Sequence, residues 1–345
     1  QLPSGAKLYL RGDGWGLNWS SGSLLKLASE NVWSLRLPWL PNGSALEYKA
    51  LIDDTTWAVG ANGRSTGSGT AKYYPYFKNA RGRYETSKIS SPTGPRDVVV
   101  YLPPSYDENP YASYSEVLVM SDGENVFDDD TAFGGRSWRA APTLDEEISS
   151  GRVEELIVFA VDNSVDRISE YTYVADPDYG GGDAAEYLDY LEGSALPALR
   201  AAYRVAPDAR LSILGSSLGG LLACYAAWSR PKVYRAAGCM SASFWWDGED
   251  FLHHLLAGSA PLPSPLPTLY LDSGDTDGDT EIYPDTIAVR YRMLEMGWPD
   301  QDLFYYHDRG GSHDEASWGG RFALPLRSLF GVADRTKRAG PTATR

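Results

Sequence analysis

The chain is poor in the residues that staple or metallate small proteins. It has two cysteines, Cys224 and Cys239, and four histidines in 345 residues. Two cysteines make neither a disulfide framework nor a zinc set. They read as buried thiols or one bridge, and neither fixes a compartment. No apolar run reaches the length of about eighteen residues that a membrane span needs. Basic residues are scarce, 31 lysines and arginines against 46 aspartates and glutamates, for a formal charge of −15. A surface of that sign repels phosphate backbones and argues against nucleic acid as a partner. The chain opens on Gln1 rather than Met, as a processed product does, so the compartment stays open, secreted and periplasmic included.

What is present is the composition of a globular protein, 43% hydrophobic and 22% charged, long enough for two domains. Residues 1–78 carry short alternating runs at 7–11, 32–37, 46–52 and 56–59, broken by turn residues. They predict a small all-β sandwich, with 60–69 as a loop. From about residue 84 the pattern changes. Strand-like runs at 98–102, 117–120, 156–161, 211–214, 236–240, 268–271 and 303–307 alternate with helical segments, among them 184–202, 218–229, 286–296 and 322–329. The alternation predicts an α/β domain over 84–333, a doubly wound and mostly parallel sheet with its ligand at the carboxyl ends of the strands. The basic tail 334–345 is expected to be disordered.

Gly215-Ser216-Ser217-Leu218-Gly219 matches the G-x-S-x-G nucleophile elbow, but so does Gly63-Arg64-Ser65-Thr66-Gly67. Context separates them. Ser65 lies in the glycine-rich loop, with no strand leading in and no helix leading out. Ser217 follows an apolar strand and precedes a helix former that Pro231 ends. An elbow there presents the hydroxyl at the sheet edge, on a helix N-terminus that favours a developing oxyanion.

A serine hydroxyl needs a base, and in hydrolases with this elbow the acid and then the histidine follow it in the chain. His253 and His254 come too early, in a helix-like stretch, and His307 ends a strand. His313, in the glycine-rich loop after the last strand, is the expected base. The acid belongs to the loop after strand 268–271, which offers Asp275 and Asp277; Asp277 is taken first. Asp275, Asp277, Asp279 and Glu281 alternate like a calcium loop, but the ligand pattern is incomplete, so no metal is expected.

Residues 84–329 resemble the putative-esterase family of α/β-hydrolases, which includes feruloyl, acetylxylan and enterochelin esterases and the mycolyltransferases. The resemblance rests on VVVYLPPSY at 98–106, DGENVF at 122–127, RISEY at 167–171, three glycines at 180–182, GSSLGGL at 215–221, SASFWW at 241–246, and GSHD at 311–314 with Trp318. It implies an oxyanion hole from the backbone N–H groups of Leu218 and Glu124, with Asn125, Arg167, Glu170, Trp245, Trp246 and Trp318 around the pocket. It implies no cofactor.

The N-terminal part is similar to starch- and glycogen-binding carbohydrate modules, through WGLNW at 15–19, Trp33, Lys49 and Trp57. That resemblance implies either sugar binding by Trp33, Lys49 and Trp57 or a structural domain capping the active site. The expectation is a serine carboxylic-ester hydrolase acting on feruloyl, acetyl or other small acyl esters, free or on a polysaccharide. A siderophore esterase, an acyltransferase and an inactive sugar-binding protein are the alternatives.

Overall fold

A computed structural model describes residues 2–39, 41, 44–66, 69–257 and 261–332; the tail expected at 334–345 lies outside them. The chain divides into two compact units, one of residues 1–82, 103–112 and 145–152, the other of 83–102, 113–144 and 153–345.

The first unit is antiparallel β-structure. Its strands are β1 (Leu8–Gly12), β2 (Ser23–Leu24), β3 (Lys26–Ser29), β4 (Val32–Ser34), β5 (Ala45–Ile52), β6 (Thr56–Trp57) and β7 (Gly63–Thr66). The sheet runs β2-β1-β5-β6, with β7 also on β5, and β3–β4 form a separate hairpin. Alternation along β1 and β5 turns Leu8, Leu10, Leu46, Tyr48 and Ala50 inward, and Trp33 of the hairpin packs on that cluster. Ser65 therefore lies on a strand, opposite Leu46, not in the loop that the glycines suggested. Backbone pairing with β5 outweighs the local glycine content.

The second unit carries an eight-stranded sheet. Its strands are β8 (Arg83–Ser91), β9 (Gly94–Leu102), β10 (Tyr114–Met120), β11 (Ile157–Val161), β12 (Val205–Ser216), β13 (Tyr234–Met240), β14 (Thr268–Ser273) and β15 (Leu303–His307). The order is β15-β14-β13-β12-β10-β11-β9-β8. The six strands from β15 to β11 are parallel, and β9 and β8 add antiparallel pairs at one edge. β11 is buried at every position, as a strand covered on both faces must be. The helices are α1 (Ala140–Ser149), α2 (Arg167–Tyr171), α3 (Ala184–Tyr190), α4 (Leu196–Ala202), α5 (Leu218–Ser229), the short turn α6 (Trp246–Asp250), α7 (Asp279–Glu295), α8 (Glu315–Arg321) and α9 (Ala323–Phe330). This is the α/β-hydrolase fold, and the loops after β10, β12, β13, β14 and β15 meet at the carboxyl ends of adjacent strands. Among the described residues no helix is long and apolar enough to cross a membrane.

Candidate active site

β12 runs directly into Ser217, which stands at φ 56° and ψ −125°, and α5 starts at the next residue. A side chain rarely tolerates that backbone, and the surroundings fix it from both sides. Ser217 N–H donates to the Met240 carbonyl at 3.0 Å, and its own carbonyl accepts from Ser243 N–H at 3.1 Å. A Cβ at Gly215 would lie 2.6 Å from the Gly219 carbonyl, so the tight turn needs glycine there.

His313 Nε2 lies 2.9 Å from Ser217 Oγ, and His313 Nδ1 lies 2.8 Å from Asp279 Oδ1. The carboxylate at Nδ1 holds the proton on that nitrogen and leaves Nε2 free to accept from the serine. Asp279 is fully buried. Burial alone would push its carboxyl up, but hydrogen bonds from His313, Ser241 and Gly274 hold it below the ordinary aspartate value, ionised and facing the ring.

The carboxylate that meets His313 is thus that of Asp279 and not that of Asp277. α7 begins at Asp279, seven residues before the helix expected at 286–296, so the carboxylate sits on a first helical turn. Just before it, Asp277 (φ 37°) and Gly278 (φ 88°) turn left-handed. That kink leaves Asp277 giving His313 only its main chain, whose carbonyl accepts from His313 N–H at 3.1 Å. The Asp277 carboxylate is exposed and meets Ser312 Oγ at 3.5 Å. Asp275 binds His307 Nε2 at 2.9 Å and Gly310 N–H at 2.7 Å. The alternating aspartates therefore take three separate partners.

The loop after β10 carries Asp122 at φ 53° and the turn Gly123–Asn125. A Cβ on Gly123 would lie 2.3 Å from the Ala160 carbonyl. Asp122 accepts both forks of Arg167, at 2.6 and 2.8 Å, and Asn163 Nδ2 at 2.8 Å, while its N–H donates to the Tyr171 hydroxyl. Asn163 also donates its side-chain and main-chain N–H to the Glu124 carboxylate. Asn163, not singled out in the sequence, thus ties the two acids of this loop together. Asn125 is buried, and its amide oxygen accepts from Phe133 N–H at 2.7 Å. Glu170 does not join this set; it pairs in two bonds with the buried Arg96. Leu218 is the first residue of α5, where no carbonyl of the helix can reach its N–H.

Behind Gly123, Asp162 has a buried oxygen, Oδ1, with no hydrogen-bond partner among the described residues. Burial first, then the neighbouring Glu124 and Asp97 charges, push its carboxyl up to about 7. The folded chain holds this proton at pH values where the unfolded chain has released it. Stability therefore falls as pH rises from about 4 towards about 7. Asp162→Asn should melt several degrees above the wild type at pH 8 and close to it at pH 4 by calorimetry. A difference independent of pH would refute the assignment.

Trp318 is buried, with its ring edge-on to the His313 imidazole at 4.9 Å between centroids. Trp246 is buried and donates Nε1–H to the Val174 carbonyl, whereas Trp245 is 38% exposed. Tyr179, also exposed, stands 6.0 Å from Trp245 and 5.9 Å from Trp246, a contact that sequence spacing could not show. Ser243, two residues before Trp245, places its Oγ 3.3 Å from Ser217 Oγ.

In the first unit, Trp33 packs into the core and Lys49 Nζ is spent on the Gly60 carbonyl at 2.5 Å. The ring beside the exposed Trp57 is Trp19, 6.3 Å away and tilted by 32°.

The "Putative esterase" family model matches residues 89–329. An uncharacterized protein, YbbA, of Bacillus subtilis is 23% identical over 253 residues, 69% of this chain and 94% of that one. The siderophore triacetylfusarinine C esterase of Aspergillus fumigatus is 37% identical over 86 residues, 25% of this chain and 29% of that one. A solved ferulic acid esterase superposes with a TM-score of 0.57 at 18% identity, covering 73% of this chain and 99% of its own.

Proposed function

The chain belongs to the putative-esterase family and is a carboxylic ester hydrolase, and from that premise we propose that it works through an acyl-enzyme on Ser217, with His313 as base and Asp279 as acid. The observation that carries this reading is the relay of 2.9 Å from Ser217 Oγ to His313 Nε2 and 2.8 Å from Nδ1 to Asp279. Ser217 Oγ attacks the ester carbonyl while Nε2 takes its proton. The N–H groups of Leu218 and Glu124 receive the oxyanion, and Arg167 and Asn163 brace the second donor through the side chains of Asp122 and Glu124. The imidazolium then returns the proton to the departing alcohol. Water, activated by the same nitrogen, frees the acid. A fluorophosphonate should label Ser217 with loss of activity, read by peptide mass spectrometry; label on another residue with activity lost would refute the assignment.

For the substrate, we propose an ester with an aromatic or bulky apolar acyl group, received by Trp245 and Tyr179. Burying one face of an aromatic ring on such a shelf is worth about 1–2 kcal/mol. Trp245→Ala should therefore raise KM for a methyl ferulate by roughly tenfold and leave that for a small acetyl ester near the wild type. Equal changes for both would refute the shelf. The stretch shared with the triacetylfusarinine C esterase favours a second reading, a siderophore ester. Faster turnover of such an ester than of any aryl ester in a side-by-side panel would establish it.

A further inference from the structure

The segment after β13 carries two hydroxyls that reach opposite ends of the relay, Ser243 at the nucleophile and Ser241 at the acid. Ser241 is fully buried and held at φ 39°, a costly backbone for a non-glycine residue. Its N–H donates to the Asp272 main-chain carbonyl at 2.9 Å.

The direction of its hydroxyl proton follows from counting donors. Ser241 Oγ accepts from Trp318 Nε1 at 3.1 Å and from an Arg321 terminal nitrogen at 2.8 Å. Indole N–H and guanidinium can only donate, so both lone pairs of the hydroxyl are filled. The remaining proton must be given away, and Asp279 Oδ2 lies 2.7 Å distant. Gly274 N–H donates to the same oxygen at 2.6 Å. Oδ2 is thereby fixed, which leaves Oδ1 to face His313.

We propose that Ser241 is a positioning residue of this hydrolase, its hydroxyl acting as an obligate donor that locks Asp279 in the rotamer orienting His313. The inference rests on the relay read above. Arg321 stands behind it, fully engaged by Asp272 through two nitrogens at 3.0 and 3.1 Å and by Asp308 at 3.0 Å. Arg321 and Asp272 form a buried pair, so breaking it would test folding rather than catalysis.

Ser241 itself is the clean target. Ser241→Gly suits φ 39° and removes the hydroxymethyl group; Ser241→Ala, which deletes only the hydroxyl oxygen, is the second variant. In each, kcat should fall by roughly 10- to 100-fold, the scale of one hydrogen bond to a charged group, with KM little changed. The acid limb of the pH profile should also move to higher pH, because a carboxylate relieved of one donor holds the imidazolium more tightly. The charged groups bearing on that limb are Asp279 on α7, Glu315 and Arg321 on α8, Asp272 on β14 and Asp308 after β15.

Ser217→Ala is measured beside them. If it is inactive while a folded Ser241→Gly keeps the wild-type kcat and pH profile, the role of Ser241 is overturned and the relay stands. If Ser217→Ala keeps its activity, the relay fails and Ser241 with it.

Discussion

Ser217→Ala should lower kcat on a p-nitrophenyl ester by about a million-fold, and adding His313→Ala should cost almost nothing more. The two groups act as one unit. Without Oγ there is no bond to form, and the imidazole has no proton to take. Without the imidazole, the hydroxyl stays neutral at its ordinary basicity. What remains comes from the two proposed N–H donors and from binding, which neither substitution touches, so KM should change little. The fold should survive, because alanine occupies φ 56° at a cost close to that of serine. Turnover above about one per cent of wild type in the purified single variant, with no contaminating esterase, would place the nucleophile elsewhere.

Elements with their own local signal were legible in the sequence. α5 ends where Pro231 demands, and its start is set by the turn it grows from. β15 and the buried strands stood out as short apolar runs. β8 did not, because six of its nine residues are exposed and only Ile89 is buried, so it shows no apolar run. The first turns of α7 were hidden by Pro284, which the helix absorbs at its sixth residue rather than at its start. That single misreading put Asp279 in a loop. The meeting of Ser217 with His313 was legible because chain order and local context specify it. The carboxylate that meets His313 was not, because its placement depends on Gly274 and on Ser241, a hydroxyl 38 residues away that only the folded sheet brings to Asp279. Asn163 and Tyr179 belong to the same class: their partners lie 39 to 67 residues away in sequence and leave no local trace.

The sharpest test of that selection compares two aspartates two residues apart. Asp279→Asn should lower kcat by about ten-thousand-fold, the scale expected when the histidine is held in the wrong tautomer. Here the network enforces that outcome. Ser241 O–H and Gly274 N–H both donate to the Oδ2 position, so the asparagine must put its oxygen there. Its NH2 group then takes the place of Oδ1, 2.8 Å from His313 Nδ1. Two donors cannot face each other, so Nδ1 gives up its proton and Nε2 carries it. Nε2 can then no longer accept from Ser217. Packing is unchanged because the two side chains have the same shape, so KM and the melting temperature should stay near the wild type. Asp277→Asn should keep kcat within about threefold. Its carboxylate is exposed, its side-chain contact with Ser312 is long, and asparagine tolerates the left-handed backbone that the His313 N–H bond requires. The reverse ranking of the two variants, measured on one ester under one set of conditions, would return the acid to Asp277.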